Sequence, residues 1–220
     1  VNKMNKKDAI IDIKEVSKKF ITKKQVVHAI ENIDFHIKEG EFICIVGPSG
    51  CGKSTLLKMI AGFLTPTAGE ILLDGEVIKE PGPERAVVFQ EDAVFPWMTV
   101  KENLEYGPKR KNMKKKEREK IVKHYLELVG LEDCSDLYPK QLSGGMKKRV
   151  DIARAYANEP RVLLMDEPFG SLDVITKSNM QNELLKILRV EEKTVVLITH
   201  DLEEALYLGD KVIILTERPA

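Results

Sequence analysis

The most specific chemistry in the chain lies in Gly47-Pro48-Ser49-Gly50-Cys51-Gly52-Lys53-Ser54-Thr55. The stretch fits G-x-x-x-x-G-K-[ST] and sits between the apolar run Phe42-Ile43-Cys44-Ile45-Val46 and the helix-like Leu56-Leu57-Lys58-Met59-Ile60-Ala61. A glycine loop between strand and helix lets successive backbone N–H groups converge on an anion at the positive end of the helix. The pattern reads as a nucleotide phosphate cradle. Lys53 would neutralise β- and γ-oxygens, and the Ser54 hydroxyl would hold Mg²⁺.

Other polar groups stand just past apolar runs. Val162-Leu163-Leu164-Met165 presents Asp166 and Glu167, Thr194-Val195-Val196-Leu197-Ile198-Thr199 presents His200, and Arg85-Ala86-Val87-Val88-Phe89 presents Gln90. Ligands of open α/β sheets bind at the carboxyl ends of the strands, so two adjacent carboxylates there are poorly explained by packing. Asp166 can hold Mg²⁺ through water, Glu167 can polarise an attacking water, and the Gln90 amide can accept from water or ligate Mg²⁺. Phe20 either stacks on an adenine base or fills the core at a strand edge. Ser143, Gly144 and Gly145 make either a second anion-binding nest at a helix start or an ordinary helix N-cap and turn.

The elements that position these groups alternate as strand, loop and helix. Residues 10–16 and 29–37 alternate apolar and polar side chains and read as antiparallel strands with one wet face. The runs before Gly47 and Asp166 are apolar throughout, and the run before His200 is apolar between Thr194 and Thr199, as strands buried on both faces are. From Glu91 to about Asn158 the pattern turns helical. The expected architecture is α/β: a phosphate-loop core with a mainly parallel sheet over residues 1–90 and 159–220, an N-terminal antiparallel β part, and a helical subdomain over residues 91–158. The basic run 109–123 reads as a solvated helix face or as a surface near anionic lipid.

Composition bounds the class. The chain has 220 residues, 43% hydrophobic, with 35 basic and 35 acidic residues, which suits one substantial core and disfavours a general nucleic-acid binder. No apolar run approaches the roughly eighteen residues of a membrane span, and residues 1–8 lack the apolar centre of a signal peptide, which points to a cytoplasmic protein. The cysteines Cys44, Cys51 and Cys134 are odd in number and lack metal-ligand spacing, so reduced thiols are expected. Cys51 reads as a packed thiol or as one open to thiol reagents.

With Leu142-Ser143-Gly144-Gly145-Met146 added to these motifs, the chain resembles the nucleotide-binding subunit of ATP-binding-cassette transporters along essentially its whole length. In that resemblance Phe20 matches the adenine-stacking aromatic, Gly47 to Thr55 the Walker A loop, and Gln90 the Q-loop glutamine. Asp166-Glu167 matches the Walker B pair, Ser171-Leu172-Asp173 the D-loop and His200 the switch histidine. The resemblance implies ATP with Mg²⁺, Glu167 as the residue orienting water, and a head-to-tail homodimer in which Ser143, Gly144 and Gly145 close over ATP held by the other copy. Asp173 would connect the two active sites. Met146 departs from the family's usual Gln, and Asp151 from its usual small apolar residue.

Glu91-Asp92-Ala93-Val94-Phe95-Pro96-Trp97-Met98-Thr99-Val100 and His200-Asp201-Leu202-Glu203-Glu204-Ala205 look like the importer branch serving nitrate, sulfonate, taurine and related solutes. That branch implies a peripheral subunit on the cytoplasmic face, an integral membrane permease docking near Phe95 and Trp97, and indirectly an extracytoplasmic solute-binding protein. Phe95 and Trp97 read as that docking groove or as packing of the lobe. Other readings are a soluble cassette ATPase acting on nucleic acid or ribosomes, an exporter ATPase with a separate membrane subunit, and a simple phosphate-loop kinase.

Overall fold

A computed structural model describes residues 9–21, 23, 25–91, 93–170, 173–191 and 193–219, with the backbone alone for 188–191. The readings that fall on residues 1–8, Asp92, Ser171 and Leu172 lie outside the described residues. The chain divides into two compact units. One takes the chain up to Arg85 and again from Lys193, and the other takes the segment between them.

The first unit opens on an antiparallel sheet of β1 (Ala9–Ile21), β2 (Val26–Lys38), β4 (Ala68–Leu73) and β5 (Glu76–Val77), in the order β2-β1-β4-β5. Ile11 pairs with Ile37 and Leu73, and Ile13 with Phe35 and Ile71, so apolar side chains meet across three strands. Both long strands outrun the alternation visible in the sequence. Glu15 and Asn32 take positive φ, 48° and 53°, and the register slips on either side of Val16. The irregularity near Val16 shifts the phase of a period-2 pattern, which hides the end of β1 beyond residue 16.

The same unit holds three parallel strands in the order β8-β3-β9: β3 (Phe42–Val46), β8 (Thr194–Thr199) and β9 (Lys211–Ile214). Every residue of β3 and β8 is buried. Helix α1 (Lys53–Ile60) packs on β8, and α6 (Leu202–Leu208) packs on β3 and β8. Strands covered in this way need unbroken apolar runs, which is why these read so clearly.

In the second unit β6 (Arg85–Val88) neighbours β7 (Val162–Asp166), and the helices are α2 (Val100–Arg110), α3 (Lys115–Leu128), α4 (Gly144–Ala157) and α5 (Val174–Glu191). The helical stretch begins at Val100, later than the sequence pattern indicates, because Thr99 and Glu102 form a capping box there. The basic run is not one helix, since α2 ends at Arg110 and Asn112 turns at φ 56° before α3 starts. Helix α5 starts at Val174, where Asp173 accepts the Thr176 N–H at 3.1 Å and caps the first turn. Among the described residues no helix is long and apolar enough to cross a membrane.

Burial on both faces predicts a sharp contrast within one sheet. Leu197→Ala, fully buried on β8, should cost about 2–5 kcal/mol in urea unfolding, whereas Ile214→Ala, 68% exposed on β9, should cost under about 1 kcal/mol. Equal costs would contradict the assignment of the core.

Candidate functional site

In the first unit the phosphate loop runs from the end of β3 into α1. Two of its glycines are required by what lies behind them. A Cβ on Gly47 would stand 2.6 Å from the Leu215 carbonyl oxygen and 2.9 Å from Cys51 Sγ. Gly52 takes φ +120°, and its Cβ would stand 2.7 Å from the Ala29 carbonyl oxygen. Gly52 is also the N-cap of α1 and supplies no side-chain cap, so no side chain of its own screens the positive end of the helix from an anion.

Lys53 is only 5% exposed, and its Nζ donates to the carbonyls of Gly47 at 2.8 Å and Pro48 at 3.1 Å. A buried ammonium held across the loop is placed for phosphate oxygens. Ser54 and Thr55 lie on the first turn of α1, half-buried, while Pro48, Ser49 and Gly50 are exposed at the loop's tip and Cys51 is buried. The buried position of Cys51 decides for a packed thiol.

Register brings His200 to the same edge. Val46 pairs with Thr199 in the parallel ladder, so Gly47 and His200 are the next residues out on adjacent strands, which run about 4.8 Å apart. His200 is exposed, and the turn that presents it is tied down. Thr199 Oγ1 donates to the buried Glu204 carboxylate and accepts the Asp201 N–H at 3.0 Å, and Asp201 caps α6 by accepting the Glu204 N–H at 3.2 Å.

Thr199 and Glu204 were not legible as site residues, because a threonine ending a strand and a glutamate in a helix carry no signal alone. Arg218 was missed for the same reason. Its guanidinium donates Nε to the Gly50 carbonyl at 2.9 Å, and Nη2 donates to the same oxygen.

Phe20, on β1, is 38% exposed with the Lys18 ammonium 5.4 Å from its ring centroid. A ring that is more than a third exposed is not core filler.

In the second unit Gln90 follows β6 and is exposed, as is Phe89, which stands outside the strand rather than buried in it. Asp166 ends β7 and Glu167 follows at φ 45°, both half-buried. A non-glycine residue in the left-handed region costs on the order of 1–3 kcal/mol, and such strain concentrates at functional positions. Gln90 Nε2 and Glu167 Oε2 each come within 3.7 Å of where a Cβ on Gly170 would stand, so the amide and the carboxylate flank one small residue.

The N-cap reading of Ser143 is realised, since its Oγ accepts the Met146 N–H at 3.2 Å. Its proton is still available to donate. Ser143 and Gly144 are exposed, and a Cβ on Gly144 would touch nothing. Met146 uses only its backbone in this cap. Asp173 is held below the usual carboxylate range by hydrogen bonds from Thr176.

Among the described residues no group of three His, Cys, Asp or Glu could hold a metal. The hydroxyl of Ser54, the carboxylate of Asp166 and the amide oxygen of Gln90 are hard oxygen donors of the kind Mg²⁺ takes one or two of.

A buried lysine across a glycine loop at a helix start defines a phosphate-loop nucleotide-binding protein. Residues 30–170 match the family model described as ABC transporter, and the chain belongs to the ABC transporter family. It is 48% identical over 209 residues to a nitrate import ATP-binding protein of Synechocystis sp., covering 95% of this chain and 79% of that protein. It is also 48% identical over 193 residues to a taurine import ATP-binding protein of Roseobacter denitrificans, covering 88% and 72%. Among solved structures it is similar to a dimeric ATP-binding cassette in a post-hydrolysis state bound to ADP and Pi, with TM-score 0.80, 34% identity and 94% and 96% of the two chains covered.

Cys44, in the middle of β3, gives the site's scaffold a pH signature. Burial, then the Glu204 and Asp210 carboxylates, push its thiol up to about 12 from 9.0. The folded state keeps this proton while the unfolded chain loses it above pH 9. Stability should therefore fall as pH rises from 9 towards 12, by about 1.4 kcal/mol per pH unit. Urea unfolding of the wild type and Cys44→Ala between pH 8 and 11 checks this, on the order of two units into the alkaline range. The variant should lack that component, and identical slopes would contradict it.

Proposed function

We propose that this chain is the ATP-binding and ATP-hydrolysing subunit of an importer for a small solute of the nitrate, sulfonate or taurine kind. The observation that carries the reading is a phosphate loop together with a second, exposed anion nest at the start of α4, in a chain near half identical to ATP-binding proteins named for nitrate and taurine import.

Phe20 stacks on the adenine, and the loop N–H groups with Lys53 hold the phosphates. The hydroxyl of Ser54, the carboxylate of Asp166 and the amide carbonyl of Gln90 would hold Mg²⁺, which supplies positive charge to the phosphate oxygens. Glu167 accepts a hydrogen bond from the attacking water and draws off its proton as the oxygen bonds to the γ-phosphorus. The bond to the β-phosphate oxygen breaks, leaving ADP and phosphate. Lys53 neutralises charge developing on the transferred group, and His200 keeps the γ-phosphate and water in register.

Two copies associate head to tail. Ser143, Gly144 and Gly145 of each copy face the nucleotide held by the other, since the loop in cis already binds its own phosphates. Asp173, kept ionised beside the start of α5, connects the two sites. The subunit sits peripherally on the cytoplasmic face of the membrane, where Phe95 and Trp97 dock a permease subunit. The solute reaches that permease from an extracytoplasmic binding protein. Nucleic acid has no place in this reading, because the net charge is zero.

Glu167→Gln keeps the side chain's size and removes the base. It should retain ATP binding, lower turnover by about 10²–10⁴-fold, and accumulate as a nucleotide-bound dimer on gel filtration. Turnover at the wild-type rate would remove Glu167 from this role.

A further inference from the structure

Helix α4 carries charge where a packed helix ordinarily carries none. Lys148, Asp151 and Arg154 recur every third residue and so climb one face. Lys148 and Asp151 are each 1% exposed. Lys148 Nζ donates to the carbonyls of Phe89 at 3.0 Å and Gln90 at 3.2 Å. Arg154 donates Nη1 to the Ala93 carbonyl at 2.6 Å and Nη2 to Asp151 Oδ1 at 2.8 Å, and its guanidinium carbon lies 4.8 Å from the Phe95 ring centroid.

Among the described residues, 89–91 and 93–95 lie in no strand, and the carbonyls of Phe89, Gln90 and Ala93 are met from α4. Asn103 of α2, fully buried, grips the other side. Its Oδ1 accepts the Phe95 N–H at 2.8 Å, and its Nδ2 donates to the carbonyls of Phe95, Met98 and Thr99 at 3.2, 3.2 and 2.9 Å. The Phe95 ring lies 5.6 Å from Trp97 and 4.8 Å from Tyr106, centroid to centroid, and Trp97 is 69% exposed.

One helix thus bears the Ser143-Gly144-Gly145 nest at its start, the glutamine segment at its middle and the aromatic surface at its end, roughly 16 Å along. Asp151 gains a physical account here. A small apolar residue would leave the Arg154 fork without its carboxylate, and a buried charge that loses its partner no longer holds its geometry.

We infer that Lys148, Asp151 and Arg154 form a rigid strut that carries displacement of the Ser143-Gly144-Gly145 nest to the Phe95 and Trp97 surface. All three are positioning residues. The inference rests on the reading above, in which the nest closes over ATP and the aromatic surface meets the permease, and it names the path between the two.

Trp97 is the single tryptophan of the chain, so its emission reports that surface directly. The experiment is Mg-ATP addition to the full chain carrying Glu167→Gln, following the Trp97 emission maximum and acrylamide quenching, with ATP binding by equilibrium dialysis and dimer formation by gel filtration. With the strut intact, Trp97 should respond. Arg154→Met and Lys148→Met should each reduce the response about fivefold or more while ATP affinity and dimer formation stay within about twofold, because the strut couples the two sites without touching nucleotide. Lys148→Arg, which keeps a donor for both carbonyls, should retain the response.

A full response in both Met variants, with ATP bound and the dimer formed, overturns the strut. So does a silent Trp97 in the unaltered strut when the dimer forms. If the Glu167→Gln chain binds no ATP at all, the functional reading itself fails and takes the strut with it.

Discussion

The first unit depends on one constraint: β3 and β8 are buried along their whole length, so nothing polar can be presented until the strands end. Their parallel register makes them end together, with Val46 opposite Thr199. Gly47 and His200 then emerge side by side, and the loop that follows has carbonyls behind it at Leu215 and Ala29 that admit no side chain on Gly47 or Gly52. The cradle is shaped as much by the sheet and strand behind it as by the phosphate it is built for. Arg218, lying on the Gly50 carbonyl from the far end of the chain, adds a second restraint on the same loop.

The second unit solves a different problem. Its described residues 89–91 and 93–95 lie in no helix or strand, and irregular backbone needs partners for its polar groups. Charged side chains on α4 and the buried amide of Asn103 supply them. The strain at Glu167, with φ 45°, sits beside the same segment, since the Gln90 amide and the Glu167 carboxylate flank Gly170. Position and rigidity in this unit come from hydrogen bonds rather than from a continuous apolar run.

Short-range patterns were what the sequence made legible. The phosphate loop, the carboxylates at the end of β7 and the histidine after β8 stand at the ends of mainly apolar runs, so type and spacing place them without tertiary knowledge. The full length of β1 was not legible, because the irregularity around Val16 breaks the alternation that would announce its far end. Residues acting through distant partners gave no signal either: Arg218 reaches Gly50, Lys148 reaches Phe89 and Gln90, and Glu204 acts through Thr199. Asp151 stood out only as a departure from the family's habit, and its partner Arg154 explains it.

The central claim is that one chain supplies half of each hydrolytic pocket. Mixing a Lys53→Ala chain with a Ser143→Arg chain tests it most directly, because a mixed dimer places both lesions in one pocket and leaves the other intact. Each variant alone should be nearly inactive, and the mixture should recover up to about a quarter of the wild-type ATPase rate, as random pairing of a two-fold dimer requires. A mixture that stays inactive, or a Ser143→Arg chain that hydrolyses ATP at full speed as a monomer, would contradict the account.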